Sequence, residues 1–241
     1  ALLNTHIESG ADVTLLYQSV DNAKDAYVNC DILNLNKQKG VLSIEKNRGN
    51  AKNRNIFMDT YVMRKELFID LIKKAKKTSS LYTLSDIISS ECGEHGTLDV
   101  RGVSHRGYFA AITDFKGYYN ANIELTDYNA TNSLFDANWP IYTRTNDSSP
   151  THYSEDGSAK NSVISNGCLI EGTVENSVVG RGCTIKEGAV VKNCVILSDV
   201  TIGAGVHAEN LVIDRNAKLT KVKEVVAGEG DPHYVKRYDV I

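Results

Sequence analysis

Residue types that commonly act as nucleophiles, metal ligands or general bases are thinly spread along this sequence. Its five cysteines are odd in number and show neither the CxxC spacing nor the Cys/His spacing of a metal site. Three of them lie between residues 160 and 230, where we interpret them as small buried hydrophobes. Unpaired thiols are typical of a reducing cytoplasm. The cysteines are Cys30, Cys92, Cys168, Cys183 and Cys194.

Charged residues do not mark a nucleic-acid surface or a membrane segment. The formal net charge is −3, and no basic stripe runs along the chain. The densest cationic run, 73–77, closes a predicted amphipathic helix, where cations complement the helix dipole. We expect neither a signal peptide nor a membrane span, since no apolar run approaches the ~20 residues that a span needs. The sequence therefore predicts a cytoplasmic protein with neither nucleic-acid nor membrane partners.

The strongest pattern is a short phrase that occurs four times, beginning with asparagine and ending in two aliphatic residues. Its copies start 15, 17 and 17 residues apart, and aliphatic residues recur at steps of six, six and five. A six-residue step fits neither an α-helix nor an amphipathic strand, but it fits a triangular coil with one inward aliphatic on each face. Stacked coils bury these aliphatics in a column, which predicts a parallel β-helix of hexapeptide type. The copies are Asn161–Ile164, Asn176–Val179, Asn193–Ile196 and Asn210–Ile213. The predicted core residues are Val179, Ile185, Ile196, Ile202 and Ile213.

The first 125 residues mix strand and helix patterns, which indicates an α/β domain with a largely parallel sheet. The chain opens within a helix that Gly10 ends in the left-handed conformation, so we expect residues upstream of Ala1. Two strands flank the turn 36–40 as a hairpin, and Asp114 caps the last helix. The predicted helices are 2–9, 64–77, 83–91 and 115–125, and the predicted strands are 13–17, 26–35, 41–45, 55–63, 98–103 and 108–112.

Between residues 126 and 160 the regular patterns break down. This segment holds Pro140, Pro150 and the only tryptophan, Trp139, which we interpret as an anchor between two domains. The predicted domains are 1–127 for the α/β part, 128–160 for the connection and 161–241 for a left-handed parallel β-helix.

Three phrases carry a family likeness that extends over nearly the whole chain. Residues 5–14, 138–143 and 172–178 resemble the helix–strand joint, the interdomain phrase and the β-helix of the glucose-1-phosphate adenylyltransferase family, also called ADP-glucose pyrophosphorylase. The resemblance implies a Rossmann-like nucleotidyltransferase domain, incomplete at its N-terminus here, followed by the left-handed β-helix. Enzymes of this family join ATP and glucose 1-phosphate into ADP-glucose and pyrophosphate with the help of Mg²⁺.

The same resemblance implies that the catalytic residues are missing from this chain. The Gly-rich loop of the family and one metal carboxylate are expected upstream of Ala1. The second carboxylate follows a Gly-Tyr-Trp phrase, which corresponds here to 107–109. Ala111 stands at the position of that aspartate, and Ala110 stands at the position of the arginine before it. Alanine can neither bind Mg²⁺ nor neutralise phosphate, so we expect no catalytic or metal-binding residue in this chain, and Mg²⁺ only in a catalytic partner.

The sugar-pocket positions of the family are partly retained. Glu45 and Lys46 match the start of a Glu-Lys-Pro motif, with Asn47 in place of the proline. Lys46 is either a phosphate contact or an exposed lysine at the end of the hairpin. In the phrase that the family writes Ser-Met-Gly-Ile-Tyr, Phe57 replaces the serine and Asp59 the glycine. A carboxylate there would repel a sugar phosphate. We interpret Glu45, Lys46, Phe57 and Asp59 as the remnant of a substrate pocket.

Lost catalytic residues within a retained architecture resemble the non-catalytic, regulatory subunit of this family in Gram-positive bacteria. This hypothesis implies that the chain assembles with a catalytic homologous subunit into a hetero-oligomer, expected to be a tetramer, or else forms a homo-oligomer. It also implies a small-molecule allosteric effector. One alternative is an active nucleotidyltransferase for glucose 1-phosphate or mannose 1-phosphate. A second is a hexapeptide-repeat acyltransferase with His207 as general base, and a third is an interaction module without a small-molecule ligand.

Overall fold

The computed structural model describes residues 2–78, 83–135, 137, 140–142 and 145–241. Within these residues the chain divides into two units, Ala1–Thr113 and Asp114–Ile241. Trp139, the predicted anchor between domains, lies outside the described residues.

The first unit contains three helices and five strands among its described residues. The strands form one mixed sheet, and the helices connect or flank them. The helices are α1 (Leu2–Ser9), α2 (Lys65–Ala75) and α3 (Leu84–Glu91). The strands are β1 (Val13–Val20), β2 (Asp31–Leu35), β3 (Val41–Lys46), β4 (Arg54–Met63) and β5 (Val100–Ser104). The order across the sheet is β3-β2-β4-β1-β5.

The expectation of a largely parallel sheet is wrong. β1 and β5 are parallel, whereas β1 with β4, β2 with β4 and β2 with β3 are antiparallel. The reason is the length of the connections. A short turn joins β2 to β3 and permits only an antiparallel pair, while β1 reaches its parallel neighbour β5 through a long crossover that includes α2 and α3.

Most predicted elements of this unit are present, with shifted ends. Gly10 ends α1 in the left-handed region at φ +66°. A capping box, in which Thr83 and Asp86 exchange hydrogen bonds between side chain and backbone, begins α3. The first hairpin strand begins at Asp31 instead of residue 26, because turns occupy the residues before it.

The predicted strand 108–112 is absent from the structure. This segment follows β5 but forms no strand, and two of its side chains make packing contacts. Phe109 stacks on Tyr27 with ring centroids 5.6 Å apart, and Ala111 packs against the same small cluster. The apolar residues of this segment therefore mark local packing by Phe109 and Ala111 and not strand pairing.

The second unit is built mainly from a parallel β-helix, which confirms the hexapeptide prediction. Its described residues form two helices, α4 (Phe115–Glu124) and α5 (Tyr128–Leu134), and fifteen short strands. The strands form three parallel sheets of five strands each. The strands are β6 (His152–Tyr153), β7 (Ser158–Lys160), β8 (Val163–Ile164), β9 (Leu169–Ile170), β10 (Thr173–Glu175), β11 (Val178–Val179), β12 (Thr184–Ile185), β13 (Val190–Lys192), β14 (Val195–Ile196), β15 (Thr201–Ile202), β16 (His207–Glu209), β17 (Leu211–Ile213), β18 (Lys218–Leu219), β19 (Glu224–Val226) and β20 (His233–Val235).

The core of the β-helix is the predicted aliphatic column. Val179, Ile196 and Ile213 are register partners on successive coils, and each is at most 1% exposed. Ile185 and Ile202 stack in the same way on a second face and are fully buried. Stacking of one coil on the next therefore supplies the burial that no single coil can supply.

The asparagine that opens each repeat forms a corner of the coil. The four asparagines have φ between +45° and +56°, a left-handed conformation that asparagine adopts more readily than most residues. The Asn193 side chain donates to the side-chain oxygen of Asn210 on the next coil at 3.2 Å. The repeated residue thus makes the turn and also links neighbouring coils. The asparagines are Asn161, Asn176, Asn193 and Asn210.

Helix α4 packs on the outside of the β-helix. Tyr119 is buried against Val195 and Val212, and its hydroxyl donates to the backbone oxygen of Asn193 at 2.7 Å. Asp114 caps this helix as predicted, accepting from the backbone of Gly117 at 2.6 Å. Because of this packing, the two units divide after Thr113, earlier than the predicted boundary at 127/128. The strands of the β-helix likewise begin at His152, before residue 161.

Replacing Ile202 with Asp should unfold the coil stack. The side chain is fully buried, and an unpaired charge there should lower the free energy of unfolding by about 3–5 kcal/mol. Thr201→Asp on the same strand is the control, because Thr201 is only partly buried. Thermal unfolding followed by circular dichroism measures both variants. An unchanged melting temperature for Ile202→Asp would show that the register is wrong.

Candidate functional site

A cavity of about 650 Å³ in the first unit brings together most of the predicted pocket residues. We call it the β4 cavity, because four of its lining residues, Phe57, Met58, Asp59 and Tyr61, belong to β4. The other lining residues come from the turn before β2, the start of β2, the end of β3, the beginning of α3 and the segment after β5. They are Asn29, Cys30, Asp31, Lys46, Thr83, Leu84, Ser85, Phe109, Ala110, Ala111 and Thr113.

Five of the six residues that the sequence predicted for this region line the β4 cavity. They are Lys46, Phe57, Asp59, Ala110 and Ala111. Glu45 is not among the lining residues, and its carboxylate accepts instead from the Ser43 hydroxyl at 2.8 Å. Neighbouring residues on a strand point to opposite faces, which separates Glu45 from Lys46.

A β-bulge turns Asp59 out of the sheet. In the pairing of β1 with β4, Leu15 pairs with Tyr61 and Tyr17 with Phe57, so three residues of β4 lie opposite one residue of β1. Within this bulge Asp59 has φ +48°, a left-handed conformation that aspartate tolerates better than most residues. Bulges of this kind re-aim side chains next to binding sites.

Two hydrogen-bonded pairs of side chains line the cavity. The Tyr61 hydroxyl donates to Asp59 Oδ1 at 2.7 Å. The hydroxyls of Ser85 and Thr83 lie 2.9 Å apart. Burial, and then the bond to Asp59, raise the pKa of Tyr61 well above its ordinary value. Its hydroxyl therefore stays protonated and continues to donate to the carboxylate.

The positive charge of Lys46 is already paired. Its Nζ lies 2.7 Å from Asp31 Oδ1, and the two residues are cross-strand partners in the β2–β3 hairpin. The lysine side chain is 58% exposed, so the ion pair contributes little to stability. Asp31 nevertheless offsets the positive charge with which Lys46 would attract a phosphate. Lys46 is thus both a lining residue and an ion-paired residue at the end of the hairpin.

The residues at the expected metal position do not fit Mg²⁺. The side chains of Ala110 and Ala111 are methyl groups, whereas Mg²⁺ requires oxygen ligands in octahedral geometry. Asp114, the nearest carboxylate along the chain, caps α4 instead. Among the described residues, no group of three His, Cys, Asp or Glu side chains is placed to hold a metal ion.

Asn47, in place of the proline of the motif, is a structural residue that the sequence did not reveal. It is fully buried, and its amide donates to the backbone oxygens of Ala23 and Tyr27 at 2.6 Å each. Its own oxygen accepts from the backbone of Gly49 at 3.1 Å. These bonds stabilise the turn in which Asn29 and Cys30 line the cavity.

The remaining candidates for reactive side chains are buried or paired. All five cysteines lie within the described residues, are buried as expected for the three in the β-helix, and form no disulfide bond. Burial raises the pKa of Cys194 to about 12, which keeps this thiol protonated and unreactive. His207 lies on an outer face of the β-helix, where its ring nitrogens are 3.2 Å from Glu209 and 3.7 Å from Glu224.

Part of the chain matches a known family model. Residues 148–240 match the model described as GlmU-like, C-terminal hexapeptide. This range begins just before β6 and ends with the last residues of the β-helix unit, so it agrees with the coil stack seen in the structure.

Known relatives of similar sequence are glucose-1-phosphate adenylyltransferases. The protein from Fervidobacterium nodosum is 34% identical over 169 residues, which are 70% of this chain and 40% of that protein. The protein from Acetivibrio thermocellus is 27% identical over 238 residues, covering 98% of this chain and 55% of that protein. For Bradyrhizobium diazoefficiens the identity is 28% over 260 residues, covering 98% and 61%. The chain therefore spans between 40% and 61% of the length of these three relatives.

No helix among the described residues is both long and apolar enough to cross a bilayer.

Replacing Asn47 with Ala should loosen the wall of the β4 cavity. The change leaves the buried backbone oxygens of Ala23 and Tyr27 without their donor, which should cost about 1–3 kcal/mol of unfolding free energy. Urea denaturation measures this cost. Asn53→Ala, at an exposed position of the same unit, is the control. Equal stability of the two variants would contradict the structural role of Asn47.

Proposed function

We propose that this protein is a regulatory subunit of glucose-1-phosphate adenylyltransferase in glycogen biosynthesis. In this role it makes no ADP-glucose itself. It assembles in the cytoplasm with a catalytic homologous subunit and changes how that subunit responds to metabolites. The similarity to glucose-1-phosphate adenylyltransferases supports the reaction to which the protein contributes.

One observation carries the non-catalytic part of the proposal. Ala110 and Ala111 line the same cavity as the retained pocket residues, at the positions where the family resemblance expects an arginine and a metal-binding aspartate. Transfer of a nucleotidyl group depends on cations that neutralise the phosphates and on carboxylates that hold the metal. The two methyl groups provide neither function.

The electrostatics of the β4 cavity support the same role. Lys46, the one positively charged side chain among the described lining residues, is paired with Asp31. Asp59 adds a carboxylate that accepts a hydrogen bond from the neutral Tyr61 hydroxyl. A phosphorylated sugar entering this cavity would meet net repulsion instead of a cationic cradle.

Regulation requires that this subunit interact differently with two states of its catalytic partner. We assign part of the contact surface to the segment 126–160, which includes α5 and the first two strands of the β-helix, β6 and β7. Exposed aromatic and aliphatic side chains of this segment, among them Tyr128, Phe135 and Tyr142, are suited to such a contact. A hetero-tetramer is the expected assembly.

An active nucleotidyltransferase for glucose 1-phosphate or mannose 1-phosphate is the second candidate. The retained Lys46 on the cavity wall favours it, since a lysine there is able to meet a phosphate once its ion pair opens. The acyltransferase alternative has less support, because His207 lies between Glu209 and Glu224 on an outer face of the β-helix.

The proposal is tested by measuring ADP-glucose formation with the purified full-length protein, alone and together with its catalytic partner. We expect no turnover above background for the protein alone. With the partner, we expect a changed maximal rate or metabolite response, because the two subunits form one assembly. Turnover by the protein alone at a rate near that of the partner would contradict the proposal.

The matched control is the double variant Ala110→Arg, Ala111→Asp, which restores the two residues that the family uses. Because other catalytic groups also have to be in place, the variant need not become active. An active parent protein whose rate this change leaves untouched would remove the basis for the non-catalytic role.

A further inference from the structure

The β4 cavity retains the size of a small-molecule site although its charges disfavour phosphate. Its volume of about 650 Å³ lies within the range of ordinary ligand pockets. A cavity that had only lost a function would be free to fill with side chains. The chemistry of its present wall therefore indicates which ligand the cavity accepts.

The polar part of the wall combines two acceptor-only carboxylates with hydroxyl and amide groups that both donate and accept. Ionised carboxylates such as Asp31 and Asp59 can only accept hydrogen bonds. The Tyr61 hydroxyl already gives its proton to Asp59 and so offers its lone pairs to further donors. A matching ligand must carry several hydrogen-bond donors, as a sugar does.

The charge of the wall favours a cation. Asp31 and Lys46 neutralise each other at 2.7 Å, whereas Asp59 is contacted by the neutral Tyr61 hydroxyl at 2.7 Å. One negative charge thus remains at the bulge of β4. An ammonium group beside Asp59 would form a charge-assisted hydrogen bond, while a phosphate would be repelled.

Other lining residues are apolar. Phe109 is half-buried against Tyr27, and the side chains of Met58, Ala110 and Ala111 also line the cavity. The methyl groups leave room that longer side chains would fill. The C–H face of a pyranose ring packs well on such a surface, with its hydroxyls directed to the polar wall.

We infer that the β4 cavity binds an unphosphorylated amino sugar, with its ammonium at Asp59, its hydroxyls towards Ser85 and Asp31, and its ring face against Phe109. This inference rests on the proposed function, in which the cavity serves an effector instead of a substrate. It names the chemical class of that effector as a cationic monosaccharide.

Calorimetric titration of the full-length protein with three probes tests the inference. The probes are glucosamine, glucose and glucose 1-phosphate, which differ in charge but share the ring. Glucosamine should bind about tenfold or more tightly than glucose, because a hydrogen bond between charged groups replaces a neutral one. Glucose 1-phosphate should bind most weakly, and added salt should reduce the advantage of glucosamine.

Two variants locate the site. Asp59→Asn keeps the shape of the side chain but removes its charge, so glucosamine should bind about tenfold more weakly and close to glucose. Glu8→Gln, which removes one carboxylate from the exposed face of α1, should leave all three affinities within about twofold. Circular dichroism spectra of both variants check that they are folded.

The outcomes separate this inference from the proposed function. Equal or tighter binding of glucose 1-phosphate than glucosamine would overturn the inference, as would glucosamine binding that Asp59→Asn does not weaken. Neither result alone touches the regulatory role, which the turnover assay decides. Turnover by the protein alone would overturn the regulatory role even if glucosamine binds at Asp59.

Discussion

The pairing of β1 with β4 is the constraint on which the candidate site depends. β1 lies between β4 and β5 in the sheet, so its register fixes β4, which in turn holds the β2–β3 hairpin. The bulge in this pair releases Asp59 from the sheet and directs it towards the β4 cavity. The hairpin register then places Asp31 opposite Lys46. Backbone pairing thus sets the positions of the charged side chains that decide which ligand the cavity accepts.

The β-helix was predictable from the sequence because its period is local. A six-residue step between aliphatics constrains each coil without reference to distant residues, and Ile185 and Ile202 are buried as expected. The sheet of the first unit was less predictable. Strand direction depends on connection lengths and on pairing between distant segments, and neither leaves a periodic trace. Helix α5 was missed because its sequence, Tyr128–Leu134, is short and mostly polar.

The site was predictable only in part and only through family resemblance. The resemblance pointed to Ala111, Lys46 and Asp59, which do line one cavity. It did not point to Tyr61 as the donor to Asp59, nor to Asp31 as the partner of Lys46. These roles arise from contacts across the bulge and the hairpin. The resemblance also did not predict the role of Asn47. It stands where the family motif has proline, but it is buried and donates to the backbone oxygen of Ala23, which stabilises the cavity wall.

The central claim is that a cavity wall with Ala111 in place of a carboxylate does not hold the divalent cation needed for adenylyl transfer. Anomalous diffraction from crystals of the full-length protein soaked with Mn²⁺ and ADP-glucose tests it directly, because Mn²⁺ accepts the same oxygen ligands as Mg²⁺. We expect no anomalous peak beside Ala111. An ordered Mn²⁺ bound there by residues of the β4 cavity would contradict the account.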